Sequence, residues 1–180
     1  MLVLDMQAMK KYLDHGFRIA KPLVTPLFNY ALGWFSPELF GTGFLVNSIG
    51  DHHISGTIPH SKFNSNAQGE IHPGLVINSG FELIRQLLAR HLGIESFRVE
   101  DFETRLKKNH DWNVAIFLKL EVNEVALDRF FIDLQKNAMA QIDLEIEINR
   151  KIKKVPRKDL VKSKDIIKFS VGVRSQKLLV

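Results

Sequence analysis

The sequence predicts an α+β fold in which an antiparallel sheet wraps around one central helix. Residues 75–92 place apolar side chains at the three- and four-residue steps of a helix, and the chain on both sides alternates in the manner of strands. A single, largely apolar helix set among strands buries its face against the sheet that those strands form. The apolar positions of this helix include Val76, Ile77, Leu83, Ile84, Leu87 and Leu88.

Two strands and a polar loop are predicted before the helix. Gly50 and Asp51 form a turn signal between residues 44–49 and 52–58, so these two segments are expected to pair as a hairpin. Residues 61–74 are rich in Ser, Asn, Gly and His, which is typical of a loop. Within the helix, Gly80 indicates a close approach to a strand surface, because an interior glycine otherwise costs about 1 kcal/mol relative to alanine.

The chain after the helix changes to a two-residue period. Residues 102–106 and 114–121 alternate as strands, and the cleanest alternation in the chain covers residues 141–148. Residues 129–135 are interpreted as the partner of that strand in a second hairpin. A helix over residues 125–138 is an open alternative, because several apolar residues there also fit a period of about 3.6.

Two segments flank the predicted sheet. Apolar residues at helical steps over 5–21 predict an N-terminal helical segment, within residues 1–40, that packs on the domain. The domain itself is predicted to cover residues 41–149. Residues 150–180 form a basic C-terminal extension, in which 166–173 is predicted as a final short strand or a docked tail.

The positive charge of the chain is concentrated in this extension. The whole chain carries +5, whereas residues 150–177 contain eleven Lys or Arg against two Asp, a net +9, so the rest carries −4. Such an extension can be solvated, can contact the phosphates of coenzyme A or an acidic carrier protein, or can meet nucleic acid or anionic lipid. Sparse aromatic interleaving favours the first two, so no nucleic-acid partner is expected.

The composition excludes several kinds of chemistry. The chain has no cysteine, which excludes disulfides, thiolate metal sites and a cysteine nucleophile. No phosphate-cradling glycine loop is found, and His52 and His53 would point to opposite faces of a strand, so neither a cofactor nor a metal is predicted.

Without a signal-peptide pattern or an apolar run of about eighteen residues, a cytoplasmic protein with no transmembrane segment is expected.

The loop before the helix resembles a family motif. Many hot-dog thioesterases carry Asn-x-x-Gly-x-x-His-Gly-Gly just before their central helix, and this chain matches it except for Pro73 in place of the first of the paired glycines. The matching residues are Asn66, Gly69, His72 and Gly74. Over residues 29–149, the resemblance implies a hot-dog fold and a homodimer or dimer of dimers. It also implies sites for acyl-CoA or acyl-carrier protein at the subunit interface.

The resemblance also implies roles for individual residues. Glu82 is the candidate base, His72 would orient a carbonyl or a water, and Asn66 would hold the attacking water or fix the loop. Backbone N–H groups at the helix start, near Gly74 and Leu75, would hold the oxyanion. The other candidates for substrate binding are Gly69, Asn78 and Ser79.

Two departures from related families qualify this interpretation. The thioesterases carry an acidic residue nine positions after the motif histidine, where this chain has Phe81, and Glu82 lies about 100° further around the helix. A non-catalytic acyl-thioester- or lipid-binding dimer and a purely structural oligomer are therefore the alternatives. The β-hydroxyacyl-carrier-protein dehydratases need a His and a Glu where this chain has Ser65 and Ser79, so dehydration is not expected.

Overall fold

Six strands and two helices form the described part of the protein. The structure is a computed structural model, which describes residue 39 and residues 41–93, 97–109, 111–150 and 165–176. The strands are β1 (Leu45–Ile49), β2 (His53–Ile58), β3 (Phe97–Lys107), β4 (Ile116–Glu121), β5 (Met139–Arg150) and β6 (Asp165–Ser175). The helices are α1 (Pro73–Leu92) and α2 (Glu124–Asn137). Within the described ranges, no helix combines the length and apolarity needed to cross a membrane.

The strands form one antiparallel sheet in the order β1-β2-β4-β5-β6-β3. β1 and β2 pair as the predicted hairpin. The chain leaves β2 near one edge of the sheet, passes through α1 and enters β3 at the opposite edge, so the helix crosses the buried face. Alternating apolar residues create that face, and on β5 they are Ile142, Leu144, Ile146 and Ile148.

α1 packs closely against the middle of the sheet. A Cβ atom on Gly80 would come within 3.1 Å of Ile146 on β5 and of the Phe169 ring on β6. The absence of a side chain therefore lets the helix approach these two strands, and the close approach predicted at Gly80 is confirmed. The helix begins at Pro73, a position at which proline is favoured because its missing N–H needs no partner there.

The segment predicted as the first strand of a second hairpin is the helix α2. Asn123 caps this helix, because its side chain accepts a hydrogen bond from the backbone N–H of Val125 at 2.9 Å. The apolar residues at helical steps are buried on one face, and they are Leu127, Phe130 and Leu134. The strand predicted over residues 129–135 is therefore wrong, and the alternative helix is correct.

The last described segment belongs to the sheet. β6 pairs with β5 on one side and with β3 on the other, and its alternate residues Ile167, Phe169, Val171 and Val173 are buried. The strand alternative for residues 166–173 is confirmed. The sheet therefore extends beyond residue 149, where the sequence-based domain boundary was drawn. The predicted N-terminal helix and residues 151–164 lie outside the described residues.

Candidate functional site

Asn66 organises the loop that leads into α1. Its side-chain oxygen accepts hydrogen bonds from the backbone N–H groups of Gln68 and Glu70, both at 3.0 Å. Its backbone oxygen accepts from Gly69, whose φ of +76° lies in the left-handed region that glycine favours. In this arrangement the side chain of Asn66 fixes the loop, which is one of the two roles expected for it.

Asn64, which the sequence did not single out, anchors the same loop to the β1–β2 hairpin region. Its buried side-chain amide donates to the carbonyl oxygens of Thr42 at 2.6 Å and Pro59 at 2.7 Å. The backbone carbonyl oxygen of Asn64 accepts a hydrogen bond from the backbone N–H of His72 at 2.8 Å. No local sequence signal points to this role of Asn64, because Thr42 lies 22 positions earlier in the chain.

His72 is the N-cap of α1. Its Nδ1 accepts from the backbone N–H of Gly74 at 3.0 Å, so in the neutral ring the proton lies on the exposed Nε2, which can donate outward. Its carbonyl oxygen accepts from the N–H groups of Leu75 at 3.0 Å and Val76 at 3.3 Å. The backbone donors expected to be free at the helix start therefore already have partners within the chain.

Glu82 is a buried carboxylate near the middle of α1, and only 1% of its surface is exposed. Arg85 donates from Nε and Nη2 to the two carboxylate oxygens, both at 2.8 Å, and Gln86 donates to Oε1 at 2.6 Å. Residues three and four positions apart face one another on a helix, so this network was accessible from the sequence. The paired hydrogen bonds offset the cost of burying the charge.

Two residues near Glu82, Phe81 and Ser79, have different surroundings. Phe81, at the position where the thioesterases carry an acid, stacks on Phe102 of β3 with ring centroids 4.7 Å apart. Ser79 is fully buried one turn before Glu82, and its hydroxyl has no hydrogen-bond partner among the described residues. An unpaired buried hydroxyl costs about 1–3 kcal/mol, so a water or a polar substrate group would be stabilised there. Leu75 is half-buried and Asn78 is exposed.

The candidate residues form two groups along α1. The loop and helix start bring together Asn66, Gly69, His72, Gly74 and Leu75, whereas Ser79 and Glu82 lie further along the helix. His72 and Glu82 are ten residues apart, and a rise of about 1.5 Å per residue separates their backbones by about 15 Å. Groups that act on one carbonyl lie within about 3–3.5 Å of it, so one copy does not join these two residues in one site.

Solved structures share the fold of this chain. No protein-family model matches the sequence, and no curated protein matches it. A Chlorobaculum tepidum protein of unknown function is 16% identical, with a TM-score of 0.66 over 84% of this chain and 94% of that one. A probable thioesterase from Pseudomonas aeruginosa is 15% identical, with a TM-score of 0.63 over 86% and 97% of the respective chains.

A third similar structure is a thioesterase from Haemophilus influenzae, 12% identical, with a TM-score of 0.58 over 84% of this chain and 92% of that one. At these identities the likeness establishes the fold alone. The hot-dog fold implied by the loop motif is consistent with these structures, which include proteins named as thioesterases.

Proposed function

We propose that this protein hydrolyses acyl thioesters of coenzyme A or of acyl-carrier protein. The observation that carries the proposal is Glu82, a buried carboxylate on the central helix of a fold shared with thioesterases. A carboxylate offers about four acceptor positions, and three donor contacts from Arg85 and Gln86 occupy it, which leaves room for one water. The neighbouring hydroxyl of Ser79 is free to hold that water.

The proposed reaction begins when Glu82 accepts a proton from this water. The water oxygen attacks the thioester carbonyl carbon, and negative charge develops on the carbonyl oxygen. His72 stabilises that charge through its Nε2–H, while its Nδ1 stays bonded to Gly74. The carbon–sulfur bond then breaks, and the leaving sulfur takes the proton from Glu82. The products are a free acid and a thiol, and no cofactor is needed.

The separation of about 15 Å between His72 and Glu82 requires a second copy of the chain to complete the site. β3 spans eleven residues and pairs only with β6 among the described strands, so its other edge has no partner within the described part of the chain. A long free edge pairs readily with another strand. Two copies joined there by a two-fold axis would run their α1 helices antiparallel and bring His72 of one towards Glu82 of the other.

A thiol-release assay over acyl-CoA substrates of different chain lengths tests the activity. We expect the wild type to release thiol and Glu82→Gln to lose about 100-fold or more of the turnover while still binding substrate. The matched control is Glu145→Gln, because Glu145 is an exposed glutamate on β5. Unchanged turnover in Glu82→Gln would exclude Glu82 as the base. Saturable binding without thiol release in the wild type would instead support a non-catalytic acyl-thioester-binding dimer.

Mixing two inactive variants tests the shared site. Glu82→Gln and His72→Ala damage opposite halves, so a mixed dimer contains one site with both changes and one intact site. After joint refolding, we expect the mixture to recover about a quarter of the wild-type activity, because about half of the dimers are mixed. No recovery, with mixed dimers confirmed by native mass spectrometry, would contradict a site built from two copies.

A further inference from the structure

A second buried carboxylate, Asp165, lies at the start of β6 and takes no part in the proposed reaction. It is 1% exposed. Its Oδ2 accepts from the indole N–H of Trp112 at 2.8 Å, and its Oδ1 accepts from the backbone N–H of Asn109 at 2.6 Å. Hydrogen bonds to an ionised carboxylate are strong and directional. Asp165 therefore joins Asn109 and Trp112 to the start of β6.

Trp112 in turn contacts the loop that ends at His72. The carbonyl oxygen of Trp112 accepts from the backbone N–H of Ile71 at 2.9 Å. One residue earlier, Glu70 forms an ion pair with Lys108, whose ammonium also lies 5.2 Å from the centroid of the Trp112 ring. Ile71 is thus joined to Trp112 directly, and Glu70 is joined to it through Lys108.

We propose that Asp165 is a positioning residue for His72. Asp165 binds the indole of Trp112, and the backbone oxygen of Trp112 binds the backbone N–H of Ile71. Because Ile71 directly precedes His72, its position sets the position of this N-cap residue. A displacement of about 1 Å can cost about 100-fold in rate when a group must meet a reacting carbonyl, so the function needs such an anchor. The effect on turnover rests on the proposed thioesterase function, whereas the effect on the loop does not.

The test is Asp165→Asn, which preserves shape but turns one acceptor oxygen into an NH₂ group that opposes a donor. We expect the amide proton of Ile71 to exchange with solvent about tenfold faster, and more so than amides in the middle of the sheet. We also expect kcat to fall about tenfold with KM changed less than about twofold. The matched control, Asp143→Asn, alters an exposed carboxylate that accepts from Ser170 and changes neither quantity.

Unchanged exchange at Ile71 would overturn the proposal, as would an equal increase throughout the sheet, which would mean that Asp165 contributes only to overall stability. If Asp165→Asn does not fold, Trp112→Phe carries the test, because it removes the indole donor and keeps the Trp112 backbone oxygen in the chain. Retained protection of Ile71 in that variant would overturn the proposal equally. A wild type that hydrolyses no thioester would refute the function, and the exchange data would still decide the role of Asp165.

Discussion

Glu82 and Asp165 are equally buried, each 1% exposed, but they are stabilised in different ways. Glu82 is bound by Arg85 and Gln86, which lie within the next turn of its own helix. Asp165 is bound by Trp112 and Asn109, which are 53 and 56 positions away in the chain. One carboxylate therefore has a local network of side chains, and the other joins distant parts of the fold.

This difference bears on what each carboxylate can do. The side chain of Arg85 is 26% exposed, so it can turn towards solvent and give up a contact to water or substrate. The indole of Trp112, which donates to Asp165, is by contrast fully buried and cannot turn towards solvent. Glu82 can therefore take part in proton transfer, whereas Asp165 is placed to anchor the loop before α1.

Matched alanine variants should show the largest contrast. Asp165→Ala leaves the buried indole N–H of Trp112 and the backbone N–H of Asn109 without this acceptor, and a buried unpaired donor costs about 1–3 kcal/mol, so we expect a loss of about 3 kcal/mol in the free energy of unfolding. Glu82→Ala should cost about 1 kcal/mol, because Arg85 can turn to water. Denaturant unfolding measures both. Equal losses would remove the distinction between the two carboxylates.

Removal of the helix cap should have a smaller effect. His72→Ala leaves the N–H of Gly74 without its acceptor and should cost about 1 kcal/mol, while His72→Asn should retain most of the stability, because asparagine is a good N-cap.

A double-mutant cycle sharpens the comparison: His72→Ala should be non-additive with Asp165→Ala and additive with Glu82→Ala. Thermal unfolding of the five variants decides this, and full additivity in both cycles would argue against a link from Asp165 to His72.

The exposed Asp51 provides the smallest expected effect. The hydrogen bond from Arg90 has the largest effect on the pKa of the Asp51 carboxyl, followed by the positive charge of Arg90. Both lower this pKa below its ordinary 3.8. A lowered pKa in the folded state means that the stabilisation is present above 3.8 and is lost as the pH falls through the lowered value.

Asp51→Asn should therefore cost about 0.5 kcal/mol near neutral pH, since the Asp51 side chain is 59% exposed and its ion pair is screened by water. The difference from the wild type should disappear in acid. Urea unfolding over a pH series measures it, and a difference that persists in acid would show that the charge of Asp51 is not the cause.

The sequence predicted best those elements whose signals are local. The apolar period of α1 and the turn between β1 and β2 depend on neighbouring residues, and both elements formed as expected. The apolar residues of α2 fit a strand as well as a helix. As a helix, α2 buries Leu127, Phe130 and Leu134 in the core. This tertiary packing favours the helix, whereas local periodicity alone does not distinguish it from a strand.

The same division holds in the candidate site. The sequence by itself predicted the stretch from Asn66 to Glu82 as the candidate site. It also contained the spacing that joins Glu82 to Arg85 and Gln86, because helix geometry is local. Only the tertiary structure decided that Asp165 meets Trp112, since the order of strands in the sheet brings together segments more than fifty positions apart. It also decided that His72 turns back onto Gly74, because the orientation of a capping side chain depends on the fold around the loop.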